Sequence, residues 1–117
     1  NNNNNVLLKK NRIQVSNTKK PLFFYVNLAK RYLQQHADIE LSALGMAITT
    51  VVTISEILKN NGYVKEKSIV TSTVGVKDPT KVRTIQKARI EIVLEKSDKF
   101  EMLMSNAQHK TSNDKVA

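Results

Sequence analysis

Two kinds of hydrophobic spacing alternate along this sequence, and their order limits the folds that the chain can adopt. Apolar and polar residues alternate in Arg12–Ser16 and in Asp38–Leu44, so both segments are predicted to be strands. Between them, apolar residues recur at helical spacing after Pro21, and this helix should end near Gln35. Proline suits the first turn of a helix because its missing N–H is no loss there.

The segment Met46–Asn61 is harder to assign, because its β-branched residues could form a strand by propensity alone. Its apolar residues nevertheless keep helical spacing over a length that no ordinary strand reaches. Asn60, Asn61 and Gly62 together form a helix-stop signal. The sequence therefore predicts a second helix in this segment.

Two more strand patterns and a helix-start signal follow. Lys67–Val76 and Thr84–Lys96 both alternate, and the connector between them contains Pro79, which predicts a long β-hairpin. Asp98 and Glu101 have the spacing of a capping box that would start a short helix. The order β-α-β-α-β-β with an appended helix predicts one α/β domain of two layers, an α+β arrangement.

The chain of 117 residues is long enough for one such domain and little more. We expect the domain to occupy residues 11–97 and the appended helix residues 98–107, with disordered tails at residues 1–10 and 108–117. No apolar run reaches the roughly 20 residues of a membrane helix, so no membrane partner is expected. The absence of cysteine excludes disulfides and thiolate metal sites.

Positive charge is concentrated in the first third of the chain. No Asp or Glu precedes Asp38, and seven of the residues before it are Lys or Arg, against a formal net charge of +9 for the whole chain. A surface of one sign at a stiff strand-to-helix turn suits a polyanion, and a phosphate backbone is the commonest one. Arg12 and the turn that follows it are therefore candidates for nucleic-acid contact.

Lys19 and Lys20 form the first basic group, directly before Pro21. Free N–H groups and a partial positive charge at a helix N-terminus would add to the two ammonium groups, and phosphate matches that combination. The alternative is a solvated turn with two incidental lysines. Among the aromatic residues that follow, Phe23, Phe24 and Tyr25, one is expected to be exposed and able to stack on unpaired bases.

The predicted hairpin carries the second basic group, five positive residues against one acid, Asp78. A long basic hairpin can project from a small body and follow a nucleic-acid groove. The alternative is an edge strand that charge protects against aggregation. The five residues are Lys77, Lys81, Arg83, Lys87 and Arg89.

Catalytic chemistry finds little support in the sequence. His36 and His109 are the only histidines, and neither lies in a metal-ligand spacing. The three glycines are scattered, so they form no phosphate-binding loop. We therefore expect a protein that is not an enzyme and that uses no cofactor or metal.

Three motifs, in this order, closely resemble the Alba family in its eukaryotic branch. They are Asn-Thr-Lys-Lys-Pro at 17–21 before an apolar helix, Leu-Ser-Ala-Leu-Gly-Met-Ala-Ile at 41–48, and Arg-Ile-Glu-Ile at 89–92. The resemblance covers residues 11–98. It implies the β-α-β-α-β-β fold of that family, which is similar to the C-terminal domain of bacterial translation initiation factor three. It also implies a homodimer, or a heterodimer with a related Alba chain, that binds DNA and RNA.

The resemblance also implies roles for particular residues. Lys19 and Lys20 match the lysines at the centre of the family's binding surface, and the hairpins extend from it as arms, so that Lys77, Lys81 and Arg83 match arm positions. Acetylation of a lysine in this turn weakens nucleic-acid binding in some members, which implies the same possibility for Lys19 or Lys20.

One departure from the family pattern concerns the turn before the second helix. Archaeal members place arginines on both sides of its glycine, where this chain has Leu44 and Met46. Two phosphate contacts are therefore missing, and binding is expected to lean on Arg12, the lysine turn and the hairpin, with a shift toward RNA. This form of the turn is also closer to the Alba-type protein subunits of ribonuclease P and MRP.

Two functions follow from this resemblance. The leading one is a dimeric, largely sequence-independent DNA- and RNA-binding protein of the nucleus and cytoplasm, associated with chromatin or regulating the translation of bound mRNA. The alternative is a heterodimeric subunit of a ribonucleoprotein such as ribonuclease P or MRP. An apolar face left exposed, including Phe100, Leu103 and Met104, would mark the alternative.

Overall fold

The computed structural model describes residues 10–16, 18–77, 80 and 82–106. The elements in chain order are β1 (Arg12–Gln14), α1 (Leu22–Gln35), β2 (Asp38–Leu44), a 3-10 turn (Gly45–Ala47), α2 (Ile48–Asn60), β3 (Val64–Lys77) and β4 (Thr84–Lys96). Residues 100–106 are helical and are called the C-terminal segment below. The predicted order β-α-β-α-β-β is confirmed, and the β-branched segment is a helix. The predicted tails lie outside the described residues, except for Lys10, which lies in a turn.

The four strands form one sheet in the order β1-β2-β4-β3. Strands β1 and β2 are parallel, and β4 is antiparallel to both of its neighbours, β2 and β3. Strands β1, β2 and β3 therefore run in one direction. Since α1 connects β1 to β2 and α2 connects β2 to β3, the two helices run parallel to one another. The N-termini of both helices consequently lie at the same edge of the sheet, where β1 and β2 end.

An aliphatic core fills the space between the helices and one face of the sheet. Every second residue of the central strands points into it, as Ile39, Leu41 and Ala43 do on β2, and each of these is fully buried. The buried residues of α1 are Tyr25, Val26, Ala29 and Leu33, which recur at helical spacing as the sequence predicts. None of the helices among the described residues packs on the other face of the sheet.

The hairpin formed by β3 and β4 extends beyond this core and gives the molecule dimensions of 60 × 30 × 25 Å. Strand β3 begins at Val64, three residues before its predicted start. The sequence pattern missed these residues because a β-bulge between Glu66 and Ser68 interrupts the alternation at Lys67. Gly75 suits its place in the hairpin, since a Cβ there would lie 2.8 Å from the Thr84 Cγ2.

One side of the C-terminal segment packs against the core. Phe100 is 1% exposed, and its ring lies 6.1 Å from that of Tyr63, while Leu103 and Met104 pack at the edge of the core. The exposed apolar face that would mark a ribonucleoprotein subunit is therefore not found at these three residues, which pack against the core of their own chain.

A serine, one residue before the predicted Asp98, starts the turn into the C-terminal segment. The Ser97 hydroxyl accepts a hydrogen bond from the Lys99 N–H at 3.1 Å and donates one to the Gly62 carbonyl at 2.6 Å. Glu101, the other member of the predicted capping box, pairs instead with Lys96 at 3.2 Å. The segment is thereby tied to the turn that follows α2.

Two features that define other classes of protein are absent from the described residues. None of their helices is both long and apolar enough to cross a membrane. Among the same residues, no group of three or more acids and histidines is placed to hold a metal ion.

Candidate nucleic-acid interface

The lysine turn, Thr18 to Pro21, presents Lys19 and Lys20 to solvent from a fixed base. The Tyr25 hydroxyl donates to the Ser16 carbonyl at 3.3 Å and accepts from the Ser16 N–H at 3.2 Å, which ties the first turn of α1 to the end of β1. The Ser16 hydroxyl in turn accepts the N–H of Thr18 at 3.3 Å. Both ends of the lysine turn are therefore held, while the two ammonium groups remain accessible.

A groove of about 290 Å³ joins the lysine turn to the start of α2. Neither α1 nor α2 has an acidic residue in its first turn, where acids are usually favoured. The positive ends of the two helix dipoles are therefore left to add to the charge of Lys20. The lining residues are Ser16, Lys20, Pro21, Leu22, Thr49, Thr50 and Thr53.

The turn between β2 and α2 has no charge of its own. Gly45 adopts a left-handed φ of +57°, and Met46 beside it is 82% exposed. The register of the sheet, however, places Arg89 directly opposite Leu44, and the Lys87 Cδ lies 3.9 Å from the position that a Cβ on Gly45 would occupy. Basic residues of β4 thus flank the turn at which the archaeal arginines are missing, a juxtaposition that only the strand register reveals.

Arg12 and Arg89 belong to an ion-pair cluster on the sheet face that the helices leave open. The Arg89 Nη2 lies 2.7 Å from Glu91 Oε2, and the Arg12 Nη2 lies 3.7 Å from the same oxygen. Arg12 also donates to the Ser42 hydroxyl at 3.1 Å, and its Nε lies 3.5 Å from Glu40 Oε2. The hydrogen bond from Arg89 lowers the pKa of Glu91. Both arginines therefore have carboxylate partners within the chain, which the charge pattern alone did not indicate.

Besides Arg89, four side chains of the hairpin were predicted to contact nucleic acid. Lys77 and Arg83 are exposed near its far end, and Lys87 is exposed nearer the body. Lys81 lies outside the described residues. The hairpin therefore carries cations at both of its ends, consistent with an arm that reaches along a polyanion.

The outer face of α1 joins exposed aromatic rings, which the sequence predicted after the lysine turn, to basic residues that the sequence argument did not single out. Tyr25 is buried, whereas Phe24 is 37% exposed, and the Lys20 Nζ lies 5.1 Å from the centre of its ring. A second groove, of about 460 Å³, follows this face and is lined by Phe24, Asn27, Lys30, Arg31, Gln34 and Met104. The sequence signal that could have found it is the absence of any acid from α1.

Known proteins are similar to this chain in sequence and in fold. A family model described as Alba matches residues 11–76. The protein "Uncharacterized protein At2g34160" of Arabidopsis thaliana is 72% identical over 99 residues, which are 85% of this chain and 76% of that relative.

Two solved structures extend the comparison to three dimensions. ALBA1 from Trypanosoma brucei is similar with a TM-score of 0.74 and 27% identity, over 91% of this chain and 86% of that one. Alba from Thermoplasma volcanium gives a TM-score of 0.65 and 25% identity, over 74% of this chain and 100% of that one. Alba proteins bind nucleic acids and form dimers. Because the family model spans more than half of the sequence and the fold agrees across these structures, this chain belongs to the Alba family.

Proposed function

We propose that this chain acts, as a dimer, as a largely sequence-independent DNA- and RNA-binding protein. The observation that carries the proposal is the groove in which Lys20 meets the N-termini of two helices that have no acid in their first turns. Such a site offers the Lys20 ammonium group and the positive ends of two helix dipoles to one phosphate. Lys87 and the hairpin cations Lys77 and Arg83 extend the positive surface away from it.

Binding through these groups depends on charge more than on base identity. Exposed lysines contact phosphates through flexible side chains, and phosphate contacts position a protein without reading sequence. With about six phosphates contacted, the logarithm of the binding constant should fall with the logarithm of salt concentration with a slope near −5 on duplex DNA. A slope near zero would contradict a phosphate-based interface.

Pairing of two chains supplies a second lysine turn and a second arm. Val52 lies on the outer face of α2, and it is 41% exposed in the single chain. A partner chain would cover apolar groups of this kind. Once one lysine turn of the dimer has bound a nucleic acid, the second turn is held close to it. The dimer should therefore bind with higher affinity than a single chain.

The test reverses the charge of the lysine turn. Lys19→Glu with Lys20→Glu should remove most binding to duplex DNA and to RNA, and circular dichroism should show an unchanged fold because both side chains are exposed. The matched control is Lys65→Glu with Lys99→Glu, which makes the same change in net charge at exposed positions elsewhere. Retained affinity of the first variant at low salt, or an equal loss in the control, would contradict the proposal.

In the cell, we expect this protein to associate with chromatin in the nucleus and with mRNA in the cytoplasm. There it would regulate the translation of the mRNA that it binds. Nucleic-acid binding by the family supports this expectation. Crosslinking in cells, followed by sequencing of the bound DNA and RNA, tests it directly. Recovery of neither class would contradict it.

A heterodimeric subunit of a ribonucleoprotein such as ribonuclease P or MRP is the second candidate. The observation that favours it is the apolar turn of Leu44 and Met46, which suits contact with a protein better than contact with phosphate. Size measurement of the isolated chain, with and without a related Alba chain, separates the two. A chain that pairs only with the related partner would favour this candidate, and a stable homodimer would count against it.

A further inference from the structure

The outer face of α1 carries a continuous stripe of polar, basic and aromatic side chains. Phe24, Asn27, Arg31 and Gln34 are spaced by three or four residues, so they lie on one side of the helix, and all are exposed. Lys20, four residues before Phe24, extends the stripe back to the lysine turn. From Phe24 to Gln34 the stripe is about 15 Å long.

The C-terminal segment turns this stripe into a groove. Met104, half-buried at the edge of the core, lines the groove of about 460 Å³ opposite Phe24 and Arg31. The groove is therefore lined by an apolar side chain and an aromatic ring, and along α1 the amide groups of Asn27 and Gln34 flank the cations Lys30 and Arg31.

The charge of the groove has one sign along α1. The helix contains no Asp or Glu, while Lys30 and Arg31 line the groove. The Lys30 Nζ lies 4.4 Å from the centre of the Tyr63 ring, which keeps this cation beside the groove. Glu101 of the C-terminal segment does not line it and is paired with Lys96 at 3.2 Å. The surroundings consequently favour an anionic ligand.

We propose that this groove binds a single-stranded segment of nucleic acid, with a base stacked on Phe24 and backbone phosphates held by Arg31 and Lys30. An exposed aromatic face between cations is the arrangement that binds unpaired bases, because every base has a face that can stack. The bases of a duplex are already stacked on one another, so a duplex could offer this groove only its phosphates. The amides of Asn27 and Gln34 can donate to and accept from base edges.

The proposal rests on the nucleic-acid binding proposed above and adds a second contact surface to it. The Lys20 Nζ lies 5.1 Å from the centre of the Phe24 ring, so the groove begins where the lysine turn ends. A strand that leaves a duplex held at the lysine turn can therefore continue along α1. A duplex with a single-stranded extension should accordingly bind more tightly than the same duplex with blunt ends.

The test compares variants of one aromatic ring and one cation on three ligands. Phe24→Leu removes the stacking face and keeps the apolar bulk, and Arg31→Gln removes the charge. Fluorescence anisotropy measures the affinity of each variant for a uridine-rich RNA strand, the matching DNA strand and a blunt duplex. Both variants should bind the single strands at least about fivefold more weakly than the unchanged chain. The duplex affinity should change by less than about twofold for Phe24→Leu, and for Arg31→Gln it should fall by less than the single-strand affinity, because a duplex can still offer phosphates to Arg31.

Matched controls exist on the same surface and elsewhere. Phe23→Leu changes an aromatic residue that is 59% exposed but does not line the groove, and Lys99→Gln removes one exposed positive charge outside it. Neither should weaken single-strand binding selectively. Phe24→Tyr keeps an aromatic face and should bind like the unchanged chain, which also separates a lost stack from a damaged fold.

The outcomes distinguish this proposal from the function on which it rests. A selective loss on either single strand supports the groove, and the strand affected identifies RNA or DNA as its ligand. No loss with Phe24→Leu, or an equal loss on the blunt duplex, overturns the groove. Loss of duplex binding in Lys19→Glu, which leaves Lys20 beside Phe24 unchanged, reports on the lysine turn alone, so either result can stand without the other.

Discussion

Arg89 Nη2 lies 2.7 Å from Glu91 Oε2, so the arginine opposite the uncharged turn already has an anionic partner within its own chain. The two residues are neighbours on the open face of β4, and the side chain of Arg89 is 35% exposed. A phosphate that approaches Arg89 must therefore compete with an internal carboxylate. Lys87, two residues away on the same face, is exposed and should contribute more to binding.

Replacement of the internal carboxylate should increase affinity for duplex DNA while it lowers stability. Glu91→Gln frees Arg89 for phosphate and leaves Arg12 with Glu40 and Ser42, but it also removes a charge-assisted hydrogen bond worth about 1–3 kcal/mol. Titration of duplex DNA and urea denaturation measure the two effects. Glu95→Gln, on the same face of β4, makes the same change in net charge. An equal gain in affinity in that control would mean that only net charge matters.

The stability of the protein should depend on pH through Glu91. The hydrogen bond from Arg89 lowers the pKa of this carboxyl in the folded chain below its ordinary value of 4.5. The unfolded chain therefore binds the proton first, and the stabilisation is complete above about pH 4.5 and lost as pH falls toward the folded pKa. Urea denaturation at a series of pH values should show a flatter acid limb in Glu91→Gln. Identical slopes in the two proteins would assign the acid sensitivity to other carboxyls.

An arginine at the apolar turn should restore a phosphate contact. Met46 is 82% exposed, so Met46→Arg should leave stability nearly unchanged. Affinity for duplex DNA should rise and the salt slope should steepen by about one, the expected effect of one added phosphate contact. Met102→Arg adds the same charge at a residue of the C-terminal segment that is 53% exposed. A rise of equal size there would show that the position of the charge is unimportant.

The C-terminal segment should prove to be part of the folded domain. Phe100→Ala removes a ring that is 1% exposed and should lower the free energy of unfolding by about 3–5 kcal/mol. Phe23→Ala removes a ring that is 59% exposed and should have a much smaller effect. Chemical denaturation measures both. A small effect at Phe100 would mean that the domain is stable without this segment.

Local spacing predicted the order of elements well, because the periods of helices and strands are properties of neighbouring residues. Helical spacing outweighed β-branched propensity in α2, where length and the Asn60-Asn61-Gly62 signal agreed. The start of β3 was missed because the bulge at Lys67 adds a residue and reverses the alternation. Ser97, and not the predicted Asp98, accepts the N–H of Lys99 at the start of the C-terminal segment. Its hydroxyl also donates to Gly62, a contact between residues far apart in the chain that local spacing cannot predict.

The candidate site was predictable only in part, for a similar reason. The lysine turn is local, so its composition and its proline were enough to identify Lys19 and Lys20. The pairing of Arg89 with Glu91, and the position of Lys87 beside Gly45, depend on side-chain geometry and on strand register. The burial of Phe100 likewise depends on Tyr63, which a period along one helix cannot reveal.

The far half of the hairpin contributes almost nothing to the core, and this has a consequence for how such proteins diverge. Thr71 to Thr73 are exposed, and so are Arg83, Thr84 and Gln86 to Ala88. Substitutions at these exposed positions should cost little folding energy, so the arm can diverge in sequence while the core stays the same. The backbone of the lysine turn is less free to change, because the buried Tyr25 ties its start to the core.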